Sequence, residues 1–146
     1  LKHLGPEPLS IKFNIEYFKN YIIGKKRTIK DLLMDQRFIS GLGNIYVNEI
    51  LFFSGVRPSK KIKKLNNFEI QKIIKFSKKI ISRAIILGGS SIKDFSSSSG
   101  KKGSFQQYFS VYGKKGENCP RVKCIGKIKK IVIANRATFF CNKCQK

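Results

Sequence analysis

The sequence predicts a mainly α-helical unit over residues 1–104 and, over residues 105–146, a linker strand followed by a small β-hairpin unit with its cysteines at 119–144. Three observations carry that reading. Apolar residues recur at helical spacing through residue 87, punctuated by glycine and proline. All four cysteines fall in the last 28 residues, around a segment that alternates like paired strands. Lysine and arginine number 31 against 8 acidic residues, a net charge of +23. That excess argues against an ordinary enzyme of small molecules and for a polyanionic partner, which leaves DNA, RNA or an anionic membrane surface. No apolar run approaches the ~20 residues needed to span a bilayer. No secretory signal is visible, so the expected compartment is the cytoplasm. Leu1 opens the sequence and the only methionine is Met34, so the expectation is a piece of a longer protein.

The elements follow in order. Gly5, Pro6 and Pro8 keep "LKHLGPEPLS" extended or turned. Ser10 or Asn14 caps a first helix carrying Ile15, Phe18 and Ile22, which Gly24 ends. Thr28 with Asp31 starts a short helix expected to reach Arg37. "ISGLG" breaks it. A third helix from Asn44 to Ser54 is apolar nearly all round, and so reads as buried. The fourth, Asn67 to Leu87, keeps Ile70, Ile73, Ile74, Ser77, Ile80, Ile81, Ala84 and Leu87 on one face and lysines on the other. Gly88 and Gly89 end it. A polar, serine-rich loop runs on to Ser104.

Cys119 and Cys124 are separated by four residues, Cys141 and Cys144 by two, and the pairs by 16. Two turn-borne pairs at that separation suit one tetrahedral zinc. Four thiolates close the coordination sphere, so the zinc is expected to be structural. Two disulfides are the alternative, which a cytosolic setting disfavours. His3 is far away in sequence and reads as a surface or packing residue rather than a ligand. The hairpin turn near "ANRA" carries Arg136, whose planar five-donor cation suits phosphate contacts; a solvated turn residue is the other reading. "GLGN" before the third helix makes a helix-turn-helix-like corner. Helix N-termini bind phosphate, and Asn44 adds an amide donor there. A plain helix hairpin with a glycine corner is the alternative.

"HLGPEPLS", "LLMDQRFISGLGNIYVNEILFFSGVRP", "GGSSIKDF", "GSFQQYFSVYG" and "RATFFCNKCQ" together resemble the C-terminal half of formamidopyrimidine-DNA glycosylases. The resemblance covers essentially the whole chain. It implies a helix-two-turns-helix DNA-binding domain followed by a zinc finger. The activity it implies is base-excision repair, removing 8-oxoguanine and formamidopyrimidines with AP-lyase nicking of the strand. Its implied partner is double-stranded DNA bearing an oxidised purine or abasic site, bound by a monomer in a bacterial cell and so at the nucleoid. By resemblance Asn44 grips a phosphate beside the lesion and Lys26 contacts DNA. Arg136 contacts the lesion phosphate and serves δ-elimination. The loop with Ser90, Ser91, Lys93, Gly100 and Gly103 forms a lid over the everted base; its length favours the purine-specific family over its endonuclease VIII-type sister. Cys119, Cys124, Cys141 and Cys144 match the zinc ligands, although the family usually has two residues inside the first pair. The family's nucleophile is an N-terminal proline on a β-sandwich domain, and neither is present in these 146 residues. They are therefore expected to bind DNA without cleaving it. A non-enzymatic zinc-containing DNA-binding remnant is the rival reading. An RNA- or ribosome-associated zinc ribbon is a third, which leaves "GLGN" and the long loop unexplained.

Overall fold

A computed structural model describes residues 3–88 and 109–146. Its elements, in chain order, are helices α1 (Ile15–Ile22), α2 (Ile29–Leu33), α3 (Asn44–Ser54) and α4 (Asn67–Gly88), then strands β1 (Ile128–Ile133) and β2 (Arg136–Cys141). A single 3-10 turn, Ile62–Lys64, lies between α3 and α4. The expected division at residues 104 and 105 lies outside the described residues.

Local chemistry accounts for the helix ends. Asn14 caps α1 by accepting from the Tyr17 N–H, and Thr28 caps α2 by accepting from the Asp31 N–H. Gly55 closes α3 in the left-handed conformation, with φ 72°. α2 ends at Leu33, four residues before the expected Arg37. The reason is Asp35. Its carboxylate captures the Arg37 N–H at 2.9 Å, while its backbone C=O takes the N–H groups of both Phe38 and Ile39. These bonds replace the helical ladder with a turn.

Two apolar clusters form the interior among the described residues. The larger joins α1, α2, α3 and the first half of α4 around Phe13, Phe18, Phe38, Leu51 and Ile73. Phe38 sits at its centre, with four aromatic rings at centroid distances of 4.8–5.9 Å. The smaller joins Phe52, Val111, Ile128 and Phe139 with the cysteines. α3 belongs to both, which is why it is apolar nearly all round. α4 outruns the larger cluster. At 1.5 Å per residue its 22 residues extend about 33 Å, twice the 11-residue α3. Leu87, which the spacing places on the apolar face opposite the lysines, is 66% exposed. No described element reaches that far along the helix.

β1 and β2 pair antiparallel from Ile128↔Cys141 to Ile133↔Arg136. The two-residue turn between them, Ala134 and Asn135, has φ 51° and 62°. Both positive values match the turn whose twist suits a tight hairpin. Arg136 is the first residue of β2, immediately past the turn.

Candidate nucleic-acid interface and metal centre

The four thiols converge as the cysteine spacing predicts. All four Sγ atoms lie within 4.8 Å of one another. Cys119 and Cys144 are 3.8 Å apart, and Cys124 and Cys141 are 3.6 Å apart. A tetrahedron with Zn–S near 2.3 Å has edges of roughly 3.8 Å, whereas a disulfide needs about 2.05 Å. The residues therefore fit one structural zinc ion, and the disulfide alternative falls. Burial pushes the Cys141 thiol up. The backbone N–H groups of Cys144 and Lys143, aimed at its Sγ from 3.5 and 3.4 Å, outweigh that and lower its pKa to about 7. Burial pushes the Cys119 and Cys144 thiols up instead, so the centre holds four thiolates only with the charge of a bound cation. Gly126 is the tight point of the centre, since a Cβ there would sit 2.4 Å from the Cys141 Sγ.

The longer first pair does not spoil the arrangement. Lys123 takes up the extra length with a φ of 69°. Arg121 turns back onto α3, where its guanidinium lies over the Phe52 ring at 4.5 Å and donates to the Phe52 carbonyl. The second pair is tied to the chain just beyond α3. Lys146 N donates to the Gly55 carbonyl, Gln145 Nε2 to that of Val56, and Arg57 to the carbonyls of Asn142 and Gln145. The finger is thus clamped to α3 at both knuckles.

At the opposite end of α3 the hairpin tip meets the "GLGN" corner. Gly41 adopts φ 93°, which favours glycine, and Gln36 braces the corner by accepting from Gly41 N and donating to the Leu42 carbonyl. Gly43 is the N-cap, and no side chain caps the first turn. A Cβ at Gly43 would meet nothing within 4 Å, so the chain's own packing does not demand glycine there. Asn44 Nδ2 donates to the Ala137 carbonyl at 3.0 Å. That contact commits one of its two amide hydrogens and leaves the other. Asn48, fully buried, donates to the Asn44 carbonyl and accepts from the Phe139 N–H at 2.7 Å. Through these bonds the exposed Arg136 is held beside the N-terminus of α3.

Sequence reasoning missed Lys30. It is 0% exposed, and its Nζ donates to Thr138 Oγ1 at 2.7 Å, while Thr138 donates to the Arg136 carbonyl. Burial, reinforced by the nearby Arg136 charge, pushes its pKa down to about 8. Only its neighbours Ile29, Leu32 and Leu33 carry a periodic signal; a lysine between them reads as solvent-facing. Glu49, also buried, accepts from the N–H groups of Ser110, Val111 and Tyr112 and so ties that segment to α3. Lys26 is exposed, on the approach to α2. Ser90, Ser91, Lys93, Gly100 and Gly103 lie outside the described residues. No helix among the described residues is long and apolar enough to cross a membrane.

Fold and site together define a cationic helical module carrying a four-cysteine zinc finger. Residues 4–96 match the formamidopyrimidine-DNA glycosylase H2TH domain, and residues 116–146 match the zinc finger found in FPG and IleRS. The chain belongs to the formamidopyrimidine-DNA glycosylase family. It is 47% identical over 146 residues to the formamidopyrimidine-DNA glycosylase of Enterobacter sp. strain 638, covering all of this chain and 54% of that protein. The crystal structure of the Lactococcus lactis enzyme, bound non-covalently to DNA containing an AP site, superposes with a TM-score of 0.83 at 38% identity, over 99% of this chain and 51% of the other. A structure of MutM with DNA containing carbocyclic 8-oxo-G gives 0.82 at 37% identity, over 99% and 51%. The chain spans about half the length of the curated relatives it matches.

Proposed function

We infer that this chain supplies the DNA-gripping part of a bifunctional DNA glycosylase and AP lyase acting in base-excision repair of oxidised purines, 8-oxoguanine and formamidopyrimidines. The observation that supports this most is the junction of the α3 N-terminus with the hairpin tip through Asn44–Ala137 and Asn48–Phe139. It sets an uncapped helix N-terminus, a free amide hydrogen and a guanidinium side by side, beside open space over Gly43. Each favours an anion, and a sugar-phosphate backbone offers a row of them. In this reading Asn44 and Arg136 hold the phosphates of the damaged nucleotide, and Lys26 holds a neighbouring one. Arg136, carried on a stiff hairpin, also stabilises the departing phosphate in δ-elimination. The loop with Ser90, Ser91, Lys93, Gly100 and Gly103 covers the everted base. The helical unit (1–104) and the finger unit (105–146) act as one clamp. Zinc, when bound, fixes the hairpin and takes no part in the chemistry, because its four thiolate ligands leave no open position.

These 146 residues bring no N-terminal proline to attack the sugar, so binding without cleavage is assigned to them. The test offers the zinc-loaded chain a duplex with an abasic site, with and without borohydride. Tight, salt-sensitive binding with no covalent trapping is expected. Trapping would place a nucleophile within these residues. Equal affinity for damaged and intact duplex would favour a general zinc-containing DNA binder.

A further inference from the structure

Two basic runs far apart in sequence, Lys25–Arg27 and Lys60–Lys64, become neighbours in the fold. Thr28 and Lys61 form an antiparallel bridge. Ile29 N donates to the Lys60 carbonyl at 2.8 Å, and Ile62 N to the Arg27 carbonyl at 2.9 Å. Ile62 is buried, which anchors the second run, while Lys26, Lys61, Lys63 and Lys64 are exposed.

The acids nearby are already taken. Arg27 holds Asp31 and Asp35 at 2.8 and 2.7 Å, and Lys60 holds Glu69 at 2.7 Å. None of the four exposed lysines has an ion pair among the described residues. Four like charges gathered on a short bridge repel one another, and nothing in the fold requires them there. A polyanion crossing the bridge would relieve that repulsion.

The bridge is also continuous with the site already described. The chain from Arg57 to Lys64 leaves the finger where Arg57 contacts Phe140, Asn142 and Gln145. It then passes the first turn of α2, where Lys30 N donates to the Pro58 carbonyl. The Lys30 side chain reaches Thr138 beside Arg136.

We propose that Lys61, Lys63 and Lys64, paired with Lys26 across the Thr28–Lys61 bridge, form a second phosphate-contacting tract that holds the duplex arm flanking the damaged site. This rests on the DNA-gripping reading above. The tract carries no groups that read base edges, so its grip is independent of sequence and its strength falls with salt.

The test compares the zinc-loaded chain with Lys61→Gln/Lys63→Gln/Lys64→Gln on abasic-site duplexes of one helical turn, about 10 base pairs, and three turns, about 30. On the long duplex the triple variant should bind at least about tenfold more weakly, with a log–log salt slope shallower by roughly two to three, at about 0.9 per released phosphate contact. On the short duplex, which keeps the phosphate that Lys26 holds but not the flanking arm, the loss should be clearly smaller. Zinc content and the thermal melt check that both proteins are folded. Lys60→Gln, which breaks the pair with Glu69, should lower the melt and leave the slope unchanged. An unchanged slope in the triple variant would overturn the tract. So would an equal loss on both duplexes, which would assign these lysines to the lesion site. A loss confined to anionic phosphatidylserine vesicles, with DNA binding intact, would overturn it in favour of a membrane surface. If the unaltered chain bound neither duplex, the DNA-gripping reading itself would fail, and the tract with it.

Discussion

The helical unit and the zinc finger reach a fixed shape by opposite means. Among the described residues the helical unit buries fifteen apolar side chains in one cluster, with Phe38 amid an aromatic group. Its stability is ordinary apolar burial, distributed over many residues. Among the described residues the finger's side of the smaller cluster has five members, two of them cysteines, packed on Phe52 of α3. So small a core cannot hold a hairpin unaided, and the metal centre supplies what burial does not. The contrast bears on where the proposed phosphate contact sits. The side chain that faces outward at the site, Arg136, is on the unit with the thinner core. Its position is set by zinc at one end of the hairpin and by Asn44 and Asn48 at the other.

Removing zinc should separate the two units most sharply. Chelation, or Cys141→Ser, is expected to unfold residues 116–146 and abolish tight DNA binding, while α1 to α4 keep most of their helical circular dichroism. Loss of helix in step with the finger would show that one core, not two, holds the molecule. The converse is Phe38→Ala, which should cost about 3–5 kcal/mol of stability in denaturant unfolding. Zinc stoichiometry at low denaturant should not change. The joint between the units comes next. Asn48→Ala removes the acceptor of the buried Phe139 N–H and a donor to the Asn44 carbonyl. About 1–3 kcal/mol is expected for the unsatisfied group. Hydrogen exchange at Phe139 should rise more than at Ile50.

The effect confined to alkaline pH concerns Lys30. Its folded-state pKa is near 8, against an ordinary 10.5. The unfolded chain therefore binds more protons between those values, and stability rises with pH across that window. Below about 8 the lysine is charged in both states and contributes no slope. Lys30→Met should flatten the rise between pH 8 and 10.5, measured as the difference between the two unfolding curves. An identical rise in both proteins would show that Lys30 does not titrate in this window.

Much of this was legible in the sequence, for identifiable reasons. α3 has the expected bounds because "GLGN" and Gly55 are strong local stops at both ends. The cysteine cluster was legible because ligand spacing is itself a geometric statement. Three features were not. Asp35 ends α2 early by a side-chain bond that no periodicity announces. Lys30, Asn48 and Glu49 are polar residues buried between the two units, and a hydrophobic pattern assigns such residues to solvent. The Thr28–Lys61 bridge joins segments more than thirty residues apart, where local propensity is silent.

We propose that Asn44 and Arg136 form one phosphate-gripping site assembled from two units. A double-mutant cycle of Asn44→Ala and Arg136→Ala, read as affinity for an abasic-site duplex by the zinc-loaded chain, addresses it directly. Each single variant should weaken binding by about tenfold or more. The pair should show a coupling of about 0.5–3 kcal/mol, as residues sharing one ligand and one hydrogen-bonded joint do. Strict additivity, with zinc content unchanged, would mean that the two residues grip DNA separately or not at all.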